Sequence, residues 1–176
     1  LRDCQRPAFA EVAPYAPPRG GKKIEAHSIR FVEAALRSYG NVDVQTPTLY
    51  EDEDKVIVRC SVTDLETNAT YATDHTIRKV IERREAKDRD VLGERVNSEG
   101  KRIFLVRPTD DELMQKIGSI VSRAIRTNGL RILPGDVVEE CKTKIYETLR
   151  NRDAKDPDAA RKQIADAFAG VGVMPS

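Results

Sequence analysis

Val56-Ile57-Val58-Arg59-Cys60-Ser61-Val62-Thr63-Asp64-Leu65-Glu66-Thr67-Asn68-Ala69-Thr70-Tyr71-Ala72-Thr73-Asp74-His75-Thr76-Ile77 is the stretch from which the fold can be read. Val56, Val58, Cys60 and Val62 alternate with Ile57, Arg59, Ser61 and Thr63, the period-two pattern of a strand with one buried face. Asp64 to Asn68 is a polar turn, after which Tyr71, Thr73, His75 and Ile77 share one face of the next strand. Upstream, Val42 and Val44 alternate with Asn41, Asp43 and Gln45. The strand resumes through Thr48-Leu49-Tyr50 after Pro47, and the acidic turn Glu51-Asp52-Glu53-Asp54 leads back to Val56. Three strands joined by turns this short form an antiparallel meander, because parallel neighbours need long crossovers.

Working outward from the meander, the preceding segment reads as a helix. Ser28 is placed as its N-cap, Ile29, Val32, Leu36 and Tyr39 recur at helical spacing, and Gly40 stands where a C-cap glycine belongs. Before it, Pro14, Pro17, Pro18, Gly20 and Gly21 make residues 13–23 an irregular loop following a short helix. After Ile77 the chain turns basic and irregular, and a hairpin is expected over 96–106 with its turn at Asn97–Gly100. Pro108 breaks that hairpin, and Thr109 with Glu112 forms a capping box opening a second helix from Asp110 to about Asn128. Leu113, Ile117, Ile120, Val121, Ala124 and Ile125 are its apolar stripe, and Gly129 its expected end. Pro134-Gly135-Asp136 starts a third helix with Val138, Cys141, Ile145 and Leu149 on one face, and Asp156-Pro157 caps a last one through Phe168. The expected plan is α+β: a helix, a three-stranded antiparallel meander, a basic hairpin, then helices packed on the sheet. Residues 1–25 are read as an irregular N-terminal segment, 26–155 as one α+β core and 156–176 as a short helix and tail.

Composition narrows the function classes. The 176 residues are 39% hydrophobic and 34% charged, enough for a real core and too charged for a membrane protein. Three cysteines (Cys4, Cys60, Cys141), far apart and odd in number, support neither a disulfide framework nor a zinc site, and point to a reducing compartment. No signal peptide is visible and no initiator Met is present, as in a fragment of a longer chain. Catalytic chemistry is thinly supplied. Arg19-Gly20-Gly21-Lys22-Lys23 lacks the strand before it and the Ser/Thr after it that a phosphate-binding loop requires. Cys60 sits among valines as a small buried hydrophobe, and His27, just before a helix, is expected to be exposed. Asp74 and His75 are adjacent on a strand and point to opposite faces, so they form no dyad. The four acids of the Glu51–Asp54 turn cannot converge on one ion without unusual backbone bends. The chain is therefore read as a non-enzyme with no cofactor and no resident metal. A metal-dependent nuclease would need acids gathered from Asp64, Glu66 and Asp74.

Charge carries more information. The whole chain has a net charge of only +1, yet residues 41–74 hold eight acids against two bases, and residues 78–107 ten bases against six acids. From Leu113 to Gly135 there is no acid, while Lys116, Arg123, Arg126 and Arg131 are present. Lys116, Ser119, Arg123 and Arg126 recur at helical spacing and define a donor stripe suited to tracking phosphates. Arg78, Lys79, Arg83 and Arg84 follow the third strand, and Lys101, Arg102 and Arg107 decorate the hairpin around Phe104. These ten bases are the expected DNA-binding residues. The opposed local charges equally suit head-to-tail self-association, or mutual neutralisation within one domain.

The segments His27–Asn41 (HSIRFVEAALRSYGN), Val62–Asp74 (VTDLETNATYATD) and Arg126–Glu140 (RTNGLRILPGDVVEE) resemble phage and prophage recombination proteins of the single-strand annealing group, which includes RecT and Red beta. The resemblance runs from about Arg6 to Val173, and its motifs are structural rather than catalytic. It implies ATP-independent annealing of complementary single strands by an oligomeric ring or filament in phage-type homologous recombination and DNA repair. The strand would lie in a basic groove, gripped through its backbone with the bases available for pairing. The groove positions carried over are Arg78, Lys79, Lys101, Arg102, Lys116, Arg123 and Arg126. The implied partners are single-stranded DNA, the annealed duplex intermediate, further copies of the chain, and a phage exonuclease or host single-strand-binding protein, in the cytoplasm of a bacterial host and without a membrane. The alternative is a protein-binding or assembly module with no nucleic-acid role.

Overall fold

The computed structural model describes residues 1–15, 18–19, 22–23, 26–155 and 157–170. In chain order a 3-10 turn (Asp3–Gln5) precedes α1 (Pro7–Val12), and four two-residue strands follow: β1 (Pro14–Tyr15), β2 (Pro18–Arg19), β3 (Lys22–Lys23) and β4 (Ala26–His27). Then come α2 (Ile29–Tyr39), β5 (Val42–Gln45), β6 (Thr48–Glu51), β7 (Lys55–Asp64), β8 (Ala69–Arg78), β9 (Ile81–Arg83), β10 (Val91–Val96) and β11 (Arg102–Val106). The helices α3 (Asp110–Ile132), α4 (Gly135–Lys155) and α5 (Pro157–Gly170) complete an α+β chain. Among the described residues no helix is long and apolar enough to cross a membrane.

The chain divides into two compact units, one of Ala35–Ile132 and one of Leu1–Ala34 with the residues from Leu133 on. The stretch 26–155, expected as a single core, is thus shared between them.

In the unit Ala35–Ile132, β7 is the central strand of a four-stranded sheet. β8 pairs with it antiparallel along its whole length, from Lys55↔Arg78 to Asp64↔Ala69. Along its other edge run β5 (Val42↔Asp64 to Gln45↔Ser61) and β6 (Thr48↔Val58 to Glu51↔Val56). The two short strands are one edge interrupted at Pro47, which has no N–H to give the ladder but accepts from Arg59 N–H through its carbonyl at 3.0 Å. The meander is therefore as expected. Its turns are set by side chains: Asp52 Oδ1 accepts from the N–H groups of Asp54 and Lys55 at 2.9 and 2.7 Å. Asp64 accepts from Glu66 N–H (2.9 Å) and the Thr67 hydroxyl (2.7 Å), and Asn68 closes that turn at φ +58°, a left-handed value Asn tolerates.

A second, three-stranded sheet runs in the order β10-β11-β9. The expected hairpin is present, with Asn97 Oδ1 accepting from the N–H groups of Glu99 and Lys101 and Gly100 at φ +74°. Its partner β9, and the length of β10, lie in the stretch read from sequence as irregular. Three residues of β9 are too few to show a period, and Gly93 breaks that of β10 at an irregularity in register.

In the other unit, the 3-10 turn and α1 pack on α4, and Cys4, Ala10, Ala13, Phe31, Val32, Leu133, Cys141 and Ile145 are buried. Ser28 caps α2 as expected, its Oγ accepting from Phe31 N–H at 3.2 Å, and Gly40 ends it at φ +82°. The expected loop over 13–23 is partly ordered into two small antiparallel ladders, β1 with β4 and β2 with β3. Its Pro17, Gly20 and Gly21, and the expected cap Asp156, lie outside the described residues. His27 is not exposed as expected: it is half-buried and stacked on Phe31 with ring centroids 4.5 Å apart, and burial pushes its pKa down.

Candidate nucleic-acid interface

The helix α3 owes its position to the alternation in β7 and β8. Val56, Val58 and Cys60 of β7 and Ile77 of β8 form one apolar face, and Ala124, Ile117, Ile120 and Val121 of α3 cover it. Fully burying an aliphatic side chain of this size contributes roughly 1.5–3 kcal/mol over leaving it exposed, which makes this layer the main hold on the helix. Its start is the expected capping box: Thr109 N–H donates to Glu112 Oε2 at 2.8 Å, and Thr109 Oγ1 faces Glu112 N–H at 3.4 Å. Its end is not where expected. Gly129 does not terminate the helix, which runs to Ile132 with Asn128 and Gly129 both buried. A glycine inside a helix costs only about 1 kcal/mol, less than the burial around it returns.

Asn128 was not among the expected residues and is the most informative on the helix. It is fully buried, and its Nδ2 donates to the Cys60 carbonyl at 3.0 Å and to Thr73 Oγ1 at 3.1 Å. Thr73 Oγ1 also lies 3.1 Å from His75 Nε2. Asn128 Oδ1 is buried without a partner. The signal was present in the sequence: a polar residue four positions beyond Ala124, within the apolar stripe.

The ten expected DNA-binding residues separate into three groups. Five face carboxylates: Lys79 to Glu51 (2.8 Å), Arg83 to Glu112, Lys101 to Glu99 (2.9 Å), Arg102 to Glu94 (2.7 Å) and Arg107 to Asp90 (3.3 Å). Lys116 does not share the outward stripe expected of it. Its ammonium donates to the carbonyls of Arg78 and Val80 at 2.8 and 2.7 Å, tying α3 to the end of β8. Among the described residues Arg78, Arg84 and Arg123 have no carboxylate partner and are exposed, and Arg126 is half-buried beside Arg123's turn of the helix. Four of these five pairs use acids of the basic stretch itself or of α3, and only Lys79–Glu51 joins that stretch to the acidic meander.

The acids considered for a metal are dispersed. Asp64 is engaged by its own turn, Glu66 accepts from Asn41 Nδ2 at 2.6 Å, and Asp74 takes a two-pronged contact from Arg59 across the ladder at 2.7 and 2.8 Å. Those contacts hold the carboxyls of Asp64 and Asp74 below the usual range, through the Thr67 hydroxyl for the first and the Arg59 guanidinium for the second. Among the described residues no three His, Cys, Asp or Glu side chains group as metal ligands.

One carboxylate gathers more cations than any other described here. Glu112 accepts from Arg89 at 2.8 and 3.1 Å and from Arg83, in addition to Thr109 N–H. The Arg89 guanidinium, the Thr109 N–H and Arg83 pull its pKa down to about 2. Arg83 ends β9 and Arg89 lies in the loop after it, and Arg83, Arg84, Glu85, Ala86, Lys87 and Arg89 line an open cleft of about 340 Å³. Lys87 lies at φ +45°, a left-handed value that a lysine seldom adopts.

No protein-family model matches the chain, and no curated protein or solved structure matches it either.

Proposed function

We propose that this protein binds single-stranded DNA and anneals complementary strands without ATP, acting as an oligomer in phage-type recombination. The observation that supports it is the charge of α3. Its acids are confined to the first turn (Asp110, Asp111, Glu112), and the remaining length, held rigid on the sheet, presents Arg123 exposed with Arg126 beside it. Surface helices ordinarily interleave both signs. A long one-sign flank offset from the acidic meander suits a polyanion. The chemistry is physical: cations offset repulsion between two strands, and an extended strand with its bases outward meets its complement as though more concentrated.

The test is binding of a labelled oligo-dT strand, read by anisotropy across a salt series. Wild type is expected to bind with an affinity that falls steeply as salt rises. Arg123→Glu with Arg126→Glu is expected to abolish binding while the circular dichroism spectrum stays native. Unchanged binding in that natively folded double variant would remove α3 from the interface.

A second reading, an assembly module with no nucleic-acid role, is favoured by β8. This strand pairs on one side with β7 along ten residues and, among the described residues, has no strand on its other side. Long regular edges of this kind recruit another chain. Oligomers forming at high dilution with no affinity for oligonucleotides at any salt would favour this reading over the first.

A further inference from the structure

We propose that the cleft lined by Arg83, Arg84, Lys87 and Arg89 is a phosphate seat, and that Glu112 is its built-in competitor, a carboxylate that a strand phosphate displaces. The inference rests on the single-strand reading above and names where in the unit Ala35–Ile132 a backbone phosphate is held. Three observations carry it. Four cations, Arg83 at the end of β9 and Arg84, Lys87 and Arg89 of the loop after it, line an open cleft of about 340 Å³, with Glu85 the single acid in its lining. Arg84 and Lys87 are exposed there and, among the described residues, have no carboxylate partner, and Lys87 is held at a left-handed φ of +45° that its own side chain does not favour. Arg83 and Arg89 meanwhile converge on one carboxylate, with Arg89 donating through both terminal nitrogens, the fork geometry by which guanidinium groups also hold phosphate.

Glu112 then has two roles. It caps α3 through Thr109, and it occupies two of the cleft's four cations, Arg83 and Arg89. A phosphodiester entering the cleft meets Arg84 and Lys87 first and exchanges with Glu112 for Arg83 and Arg89. The loop's affinity for a strand is thereby held below what four cations would give. Glutamine serves the capping box as well as glutamate, so Glu112→Gln removes the competing charge and keeps the cap.

The experiment uses the full chain and a labelled oligo-dT strand across a salt series, with three variants. Arg84→Ala with Lys87→Ala is expected to weaken binding and make the logarithmic salt slope shallower by about 1.4, two counterions at ~0.7 each on single strands. Glu112→Gln is expected to tighten binding and steepen the slope by about the same 1.4, as two arginines are released. The third variant, Arg123→Glu, reports on α3 independently. If wild type binds and Arg123→Glu abolishes binding while both loop variants keep the wild-type slope, the seat is overturned and the strand reading stands. If wild type does not bind the strand, the strand reading fails, and a titration with inorganic pyrophosphate decides the seat. A thermal shift lost in Arg84→Ala with Lys87→Ala would leave a seat for free phosphate groups, and no shift would overturn it. Should Glu112→Gln fail to fold, the double loop variant alone decides, because both its positions are exposed.

Discussion

Two residues show how much single side chains decide here. Asn128 is buried against the centre of the sheet, with both hydrogens of its amide spent on Cys60 and Thr73. Asn128→Asp removes those donors and sets a carboxylate against a carbonyl oxygen away from water. It is expected to cost roughly 3 kcal/mol, read as a lowered denaturation midpoint in urea, where an unchanged midpoint would contradict the contact. Glu112 makes a pH prediction whose sign follows from its partners. Its pKa is about 2 in the folded chain, below the ordinary glutamate value, so its contribution is complete at neutral pH and fades as pH falls toward 2. Wild type should therefore melt above Glu112→Gln at pH 7, and the gap should narrow as pH falls below the ordinary glutamate value and close only below about pH 2. A gap that stays constant over that range would contradict the ionic brace. Neither role could be read from the residue alone. Glu112 was legible as a cap because its partner is three residues away, whereas Arg83 and Arg89 reach it across more than twenty residues of chain.

The elements were legible wherever one face is buried and the period is long enough to repeat. β7 shows four alternations and β8 nearly as many, and both strands, their turn and their register stand as the pattern requires. α3 was legible in its cap and stripe, and its end was misplaced because burial around Asn128 and Gly129 outweighs the weak helix propensity of glycine. β9 and β10 were missed because a three-residue strand and one broken by a glycine irregularity carry no period. The donor stripe on α3 failed in part for a related reason. Spacing places Lys116 beside Arg123, but a lysine at the margin of an apolar stripe is long enough to turn inward, and the carbonyls of Arg78 and Val80 receive it. The element-scale prediction concerns the layer that holds the helix. Ile77→Ala, at a site 1% exposed under α3, is expected to cost about 3 kcal/mol, measured by denaturant unfolding. A loss below about 1 kcal/mol would mean that α3 is not held by this face.

At the scale of the whole molecule, local charge sums overstated what is offered to a partner. Many bases of the stretch after the meander are engaged within one compact unit, Lys79 by Glu51 of the meander, and Arg95 and Arg102 by Glu82 and Glu94 of the stretch itself. What remains outward is smaller and more specific: Arg123 on the acid-free length of α3, Arg78 at the end of β8, and Arg84 and Lys87 in the loop after β9. Sequence could not make that selection, because partners in an ion pair across a fold are adjacent only after folding. The selection also sharpens the central claim, since few cations are left to carry it. The measurement that tests it most directly mixes the purified chain with two complementary labelled oligonucleotides, without ATP, at low and moderate salt, and follows duplex formation by energy transfer. The account predicts annealing well above the protein-free rate, with the acceleration lost as salt rises and lost in Arg123→Glu with Arg126→Glu. Annealing at the protein-free rate at low salt, by a chain that is folded and oligomeric, would contradict it and leave the exposed edge of β8 and the remaining charges to assembly alone.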